Sequence, residues 1–128
     1  DMPLRAYART LSAACQEADF LAGVAFSFEE RAPRLGLVKG VLTFLDGSEL
    51  HFSEFLVSTE GGVHKIKYRY HCAHGPSLRF RYDNGRDPKA RSLSTYPHHK
   101  HTPAGIIPAN PPSLIQAIRE AESLVALP

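Results

Sequence analysis

Asp46-Gly47 divides two runs of strand-like sequence, 35–45 and 48–57, and no other feature constrains the fold of this chain as tightly. Asp-Gly is favoured in two-residue type I′ hairpin turns, where both central residues take positive φ and the turn follows the twist of the strands. Counting outward from such a turn sets Leu45 against Ser48, Thr43 against Leu50, Val41 against Phe52, Lys39 against Glu54 and Leu37 against Leu56. This register predicts an apolar face and one cross-strand ion pair, Lys39 with Glu54.

The segments around the hairpin extend the sheet. Leu4, Tyr7, Ala8, Leu11, Ala14, Cys15 and Ala18 recur at helical spacing and predict a helix over 3–18. The period then falls to two, with Phe20, Ala22, Val24, Phe26 and Phe28 on one side of a first strand. After a turn at Glu60-Gly61-Gly62, strict alternation puts His64, Ile66, Tyr68, Tyr70 and Cys72 on one side and Lys65, Lys67, Arg69 and His71 on the other. Beyond His74-Gly75-Pro76, Leu78, Phe80 and Tyr82 continue the apolar side, and Arg79, Arg81 and Asp83 the polar one. Pairing 71 with 79, 69 with 81 and 67 with 83 matches the apolar faces, but sets Arg69 across from Arg81, which is unfavourable by a few tenths of a kcal/mol. Six prolines predict an irregular surface loop over 85–112. Ser113 and Gln116 form a capping box for a helix over 113–125. The whole reads as one α+β domain: a curved, mainly antiparallel sheet of about five strands over 20–84, with an N-terminal and a C-terminal helix packed on one face.

Composition narrows the class. Of the 128 residues, 43% are hydrophobic and 22% charged, a soluble globular balance, and no apolar run approaches the ~20 residues of a membrane span. No signal-peptide pattern is visible, so the sequence predicts a cytoplasmic protein without a membrane partner. Cys15 and Cys72 lack CxxC spacing and read as buried small hydrophobes. A net charge of +2 does not by itself define a nucleic-acid partner, so the distribution of charge decides.

That distribution points to 78–101, which runs from the strand bearing Arg81 and Asp83 to Pro97-His98-His99-Lys100-His101. In an extended chain His99 and His101 share one side, and His98 and Lys100 the other. Paired imidazoles populate both protonation states near neutrality and suit general acid/base work, and a nearby cation stabilises a phosphate as charge develops on it. This is the equipment of metal-independent RNA cleavage with the ribose 2′-hydroxyl as nucleophile. The catalytic candidates are His99 and His101 as acid and base, Arg81 and Lys100 as phosphate ligands, Asp83 as orienter and His71 in reserve. Lys65, Lys67, Arg69 and Arg79 are candidates to bind the nucleic-acid backbone, and Tyr96 is the stacking candidate. No cofactor is called for. Two other readings stand beside this one: a non-catalytic interaction module with a basic sheet face, and a His-x-His metal site completed by Asp83 or His71. A homodimer is compatible with either.

The run Phe80-Arg81-Tyr82-Asp83-Asn84, followed by Pro97-His98-His99-Lys100-His101 and preceded by Asp46-Gly47-Ser48-x-Leu50-His51-Phe52-x-Glu54, resembles the small bacterial TumE-like toxins. The resemblance implies the toxin component of a toxin–antitoxin pair, neutralised by a separate antitoxin protein. It implies no particular catalytic mechanism.

Overall fold

The Asp46-Gly47 hairpin forms, but with a loop one residue longer than a type I′ turn. In the computed structural model, which describes residues 1–128, the Gly47 N–H donates to Phe44 O and the Phe44 N–H to Ser48 O, each at 2.9 Å. Gly47 takes φ +85°. This is a three-residue connection, in which a turn is followed by a left-handed residue that only glycine adopts without strain. The Asp46 carboxylate locks it by accepting from Ser48 N–H (2.9 Å) and Oγ–H (2.5 Å) and from Arg79 (3.0 Å).

The extra residue shifts the pairing of β2 (Leu35–Phe44) with β3 (Glu49–Thr59) by one: Thr43 faces Glu49, Val41 faces His51 and Lys39 faces Ser53. A one-residue slip reverses every side-chain relationship. Glu54 therefore lies opposite Val38, and the Lys39–Glu54 ion pair is not made. Val38, Leu42, Phe44, Leu50, Phe52 and Leu56 now share one buried face.

β4 (Gly62–His74) pairs with β3, and its alternation is broken once. Phe55 faces Lys67 and Leu56 faces Lys65, so Ile66 is an extra residue and is left half-exposed. The bulge turns Lys65 to the covered side, where its Nζ donates to Tyr70 Oη (2.6 Å) and Pro112 O (2.7 Å). Tyr70 in turn donates to Glu54, which also accepts from Tyr7 (2.5 Å), so a fully buried carboxylate ties the sheet to the first helix.

β5 (Ser77–Asp83) pairs with β4 two residues out of the predicted register: Arg69 faces Asp83, Tyr70 faces Tyr82 and His71 faces Arg81. The opposed arginines of the counted register are thereby avoided. A bulge at Cys72/Ala73 accompanies the change and sends Arg79 to Asp46. The side chain of Asn84 prolongs the pairing, donating to Ile66 O and accepting from Tyr68 N–H, each at 3.1 Å.

Residues 85–112 are not irregular throughout. After a 3₁₀ turn at Pro88–Ala90 and a cis Tyr96–Pro97 peptide, β6 (His99–Thr102) pairs with β5, and β7 (Gly105–Pro108) pairs with β6. With β1 (Leu21–Ala32) on β2, the sheet is an antiparallel meander of seven strands in chain order, not about five. The two added strands have four residues each and are flanked by prolines, too short for a period-two pattern to register. Helices α1 (Met2–Gln16) and α2 (Leu114–Ser123) lay Leu4, Ala8, Leu11 and Cys15, and Leu114, Ala117, Ile118 and Ala121, into the core. Each fully buried large aliphatic contributes about 1.5–3 kcal/mol. The capping box at Ser113/Gln116 opens α2 as read from the sequence. Both helices cover the same face, and the opposite face is left open.

Candidate functional site

The corrected registers align the open face in two rows across the sheet. One runs Lys39–Ser53–Arg69–Asp83–His99, and its neighbour Val41–His51–His71–Arg81–His101. Both rows reach β6, whose alternation sends His99 and His101 to the open face while Lys100 and His98 turn away, as the spacing predicted.

Four side chains converge there. His99 Nε2 lies 3.1 Å from His101 Nε2 and 3.3 Å from Asp83 Oδ1. His101 Nε2 is 3.6 Å from Asp83 Oδ2 and 3.5 Å from Arg81 Nη2, and Arg81 Nε is 3.5 Å from Asp83 Oδ2. Asp83 is itself held by the Gly85 N–H at 2.8 Å. His99 is 1% exposed, and its Nδ1 sits 2.7 Å from Pro97 O. A carbonyl only accepts, so Nδ1 carries the proton and the Nε2 lone pair of neutral His99 faces His101. The His101 Nε2–H can then donate to it. Burial, together with the Arg81 charge and opposed in part by Asp83, lowers the His101 pKa below 6.5. Burial and Arg81 lower the pKa of His71 likewise.

The atoms Asp83 Oδ, His99 Nε2 and His101 Nε2 also satisfy the geometry of a metal site, all lying within 4.8 Å of one another. Ligands bound tetrahedrally at about 2.0–2.1 Å stand ~3.3–3.4 Å apart, which the observed 3.1–3.6 Å bracket. The His99 Nδ1–Pro97 contact is the outer hydrogen bond that such ligands make.

Other sequence candidates lie elsewhere. Lys100 is on the covered face, paired with Glu120 (2.7 Å) above the Tyr82 ring, away from the histidines. Lys65 and Arg79 are drawn off the basic face by the two bulges. Lys67 and Arg69 remain on it, exposed. Tyr96 is half-buried in the loop before β6. His98 stacks on Tyr68 and meets its hydroxyl at 2.9 Å, a structural contact. Both thiols are buried, which raises their pKa to about 11, so neither is a thiolate near neutrality. Lys39 and His51 were missed. Their place on the open face follows only from the three-residue loop, which a count from Asp-Gly does not reveal.

Fold and site together define an α+β protein with a one-sided helical cover and a histidine–carboxylate–arginine centre on the open face of its sheet. Among models of protein families, the one described as Toxin TumE matches residues 11–126, nearly the whole chain, and the chain belongs to that family. A toxin role follows, and a toxin of this kind implies an antitoxin partner. No curated protein and no solved structure matches the chain. No helix is long and apolar enough to cross a membrane.

Proposed function

We propose that this toxin acts on RNA, cleaving a phosphodiester by acid/base catalysis at the Arg81–His101 end of the open face. The observation that carries the reading is the row His71–Arg81–His101, in which Arg81 stands between histidines of the two adjacent strands, lining one groove with His71 and reaching 3.5 Å from His101 Nε2. A phosphate seated on Arg81 has a proton acceptor on one side and a donor on the other, as in-line displacement requires. His101 takes the proton of the ribose 2′-hydroxyl on Nδ1, the nitrogen left free when its Nε2–H donates to His99, as the 2′-oxygen attacks phosphorus. The P–O5′ bond breaks, the 5′-oxygen takes a proton from His71, and a 2′,3′-cyclic phosphate remains. His99 positions His101, and the Asp83 carboxylate stabilises its protonated form.

A second reading rests on the ligand-like spacing of Asp83, His99 and His101: the three hold a divalent metal that supplies an activated water. One assay separates the two. Purified protein is incubated with defined RNA with and without chelator, and the new ends are analysed by mass spectrometry. Cleavage with chelator present that leaves 2′,3′-cyclic phosphates supports acid/base catalysis. Chelator-sensitive cleavage supports the metal, and intact RNA removes the catalytic reading altogether.

A further inference from the structure

We infer that the far half of the open face, on β2–β4, is a track for a single-stranded RNA backbone that crosses the strands and delivers one phosphate to Arg81. This rests on the reading of the toxin as RNA-directed, but it concerns a separate set of residues. Three contiguous grooves of about 480, 420 and 380 Å³ run over this half, and Arg69 lines all three. Lys39 lines two of them, neither of which includes His99 or His101.

The charges are arranged for a ligand rather than for the fold. Lys39, Lys67 and Arg69 are exposed, and none is held by a carboxylate. Ser53 stands between Lys39 and Arg69 in the row, leaving low ground between the two cations. From β6 to β2 is four strand spacings, roughly 19 Å at about 4.8 Å each, so the track extends well beyond one nucleotide. The two rows lie two residues apart along the strands, about 7 Å, a band wide enough for one backbone. Neither row carries Phe, Tyr or Trp between β2 and β5. Phe55, half-buried in the adjoining row, lines the second groove beside Lys39, Lys67 and Arg69 and gives a base one face to stack on, so recognition rests on phosphate charge with one stacking contact, which makes it tolerant of sequence and sensitive to salt.

The test is fluorescence anisotropy of the full chain with 2′-O-methyl oligouridylates of increasing length, which cannot be cleaved through the 2′-oxygen. Affinity should rise with length beyond a dinucleotide. Lys39→Ala and Arg69→Ala should each weaken binding of the longer oligomers about tenfold and reduce the salt slope by about 0.7. Arg9→Ala, an equal loss of charge on the helical side, should do neither. Affinity that stops growing at the dinucleotide, or equal losses in all three variants, overturns the track. Binding of poly-glutamate but not of the oligomers, lost in the same two variants, also overturns it and makes the face a docking surface for an acidic protein. Uncleaved RNA that still binds through Lys39 and Arg69 removes the catalytic reading and leaves the track standing. Cleavage with binding unchanged in both variants does the reverse.

Discussion

His99 and His101 face each other through their Nε2 atoms at 3.1 Å, while the other nitrogen of His99 is tied to Pro97 O at 2.7 Å. The carbonyl fixes the tautomer of the buried ring, and that ring fixes the rotamer of its more accessible neighbour. Neutral His99 is thus expected as the Nδ1–H tautomer, observable in long-range ¹H–¹⁵N correlation spectra. A protonated Nε2 with a bare Nδ1 would contradict this geometry.

The depressed pKa values of His71 and His101 give a pH dependence with a definite sign. Between the folded and unfolded pKa values the unfolded chain binds more protons, so stability is full above about 6.5 and is lost as pH falls below it. Catalysis that needs one of these groups neutral and the other protonated should have its optimum below 6.5 as well. Urea midpoints and cleavage rates across pH 4.5–8 check both, and an optimum well above 7 would exclude this pair.

Buried Glu54 accepts from Tyr7 and Tyr70, and Lys65 donates to Tyr70 beside it. Removing the carboxylate orphans two hydroxyls and leaves a desolvated ammonium. Glu54→Ala should cost about 3–5 kcal/mol and Tyr7→Phe only ~0.5–1.5 kcal/mol, as read by denaturant unfolding.

Gly40 lies under the ring of Phe52, its partner across the β2–β3 ladder, and a Cβ there would meet Phe52 Cε1 at 2.3 Å and Ala25 O at 3.1 Å. Gly40→Ala should therefore destabilise by about 1–3 kcal/mol, the usual cost of overpacking, although alanine ordinarily suits a strand better than glycine. An unchanged unfolding midpoint would show that the ring moves aside freely.

Much of this was legible in the residues, and the losses share a cause. Both helices, the capping box, the inward Tyr68, Tyr70 and Cys72, and the common side of His99 and His101 follow from periodicity, which is local. Registers are not local. One extra loop residue at Leu45 displaced Lys39 and His51 from the reading, and bulges at Ile66 and Arg79 reversed Lys65 and Arg79 while the alternation looked intact. β6 was invisible because four polar residues between prolines carry no strand signal. It forms because β5 offers it an edge.

We place toxicity in the Arg81–Asp83–His99–His101 centre. The most direct measurement is growth inhibition in a bacterial host on expression of Arg81→Ala and His101→Ala, with Lys100→Ala as the same-strand comparator and folding checked by circular dichroism. His101→Ala should lower RNA cleavage by ~10²–10⁴-fold, both centre variants should permit growth, and Lys100→Ala should remain toxic because its side chain lies on the other face. Folded Arg81→Ala and His101→Ala proteins that still arrest growth would contradict the account.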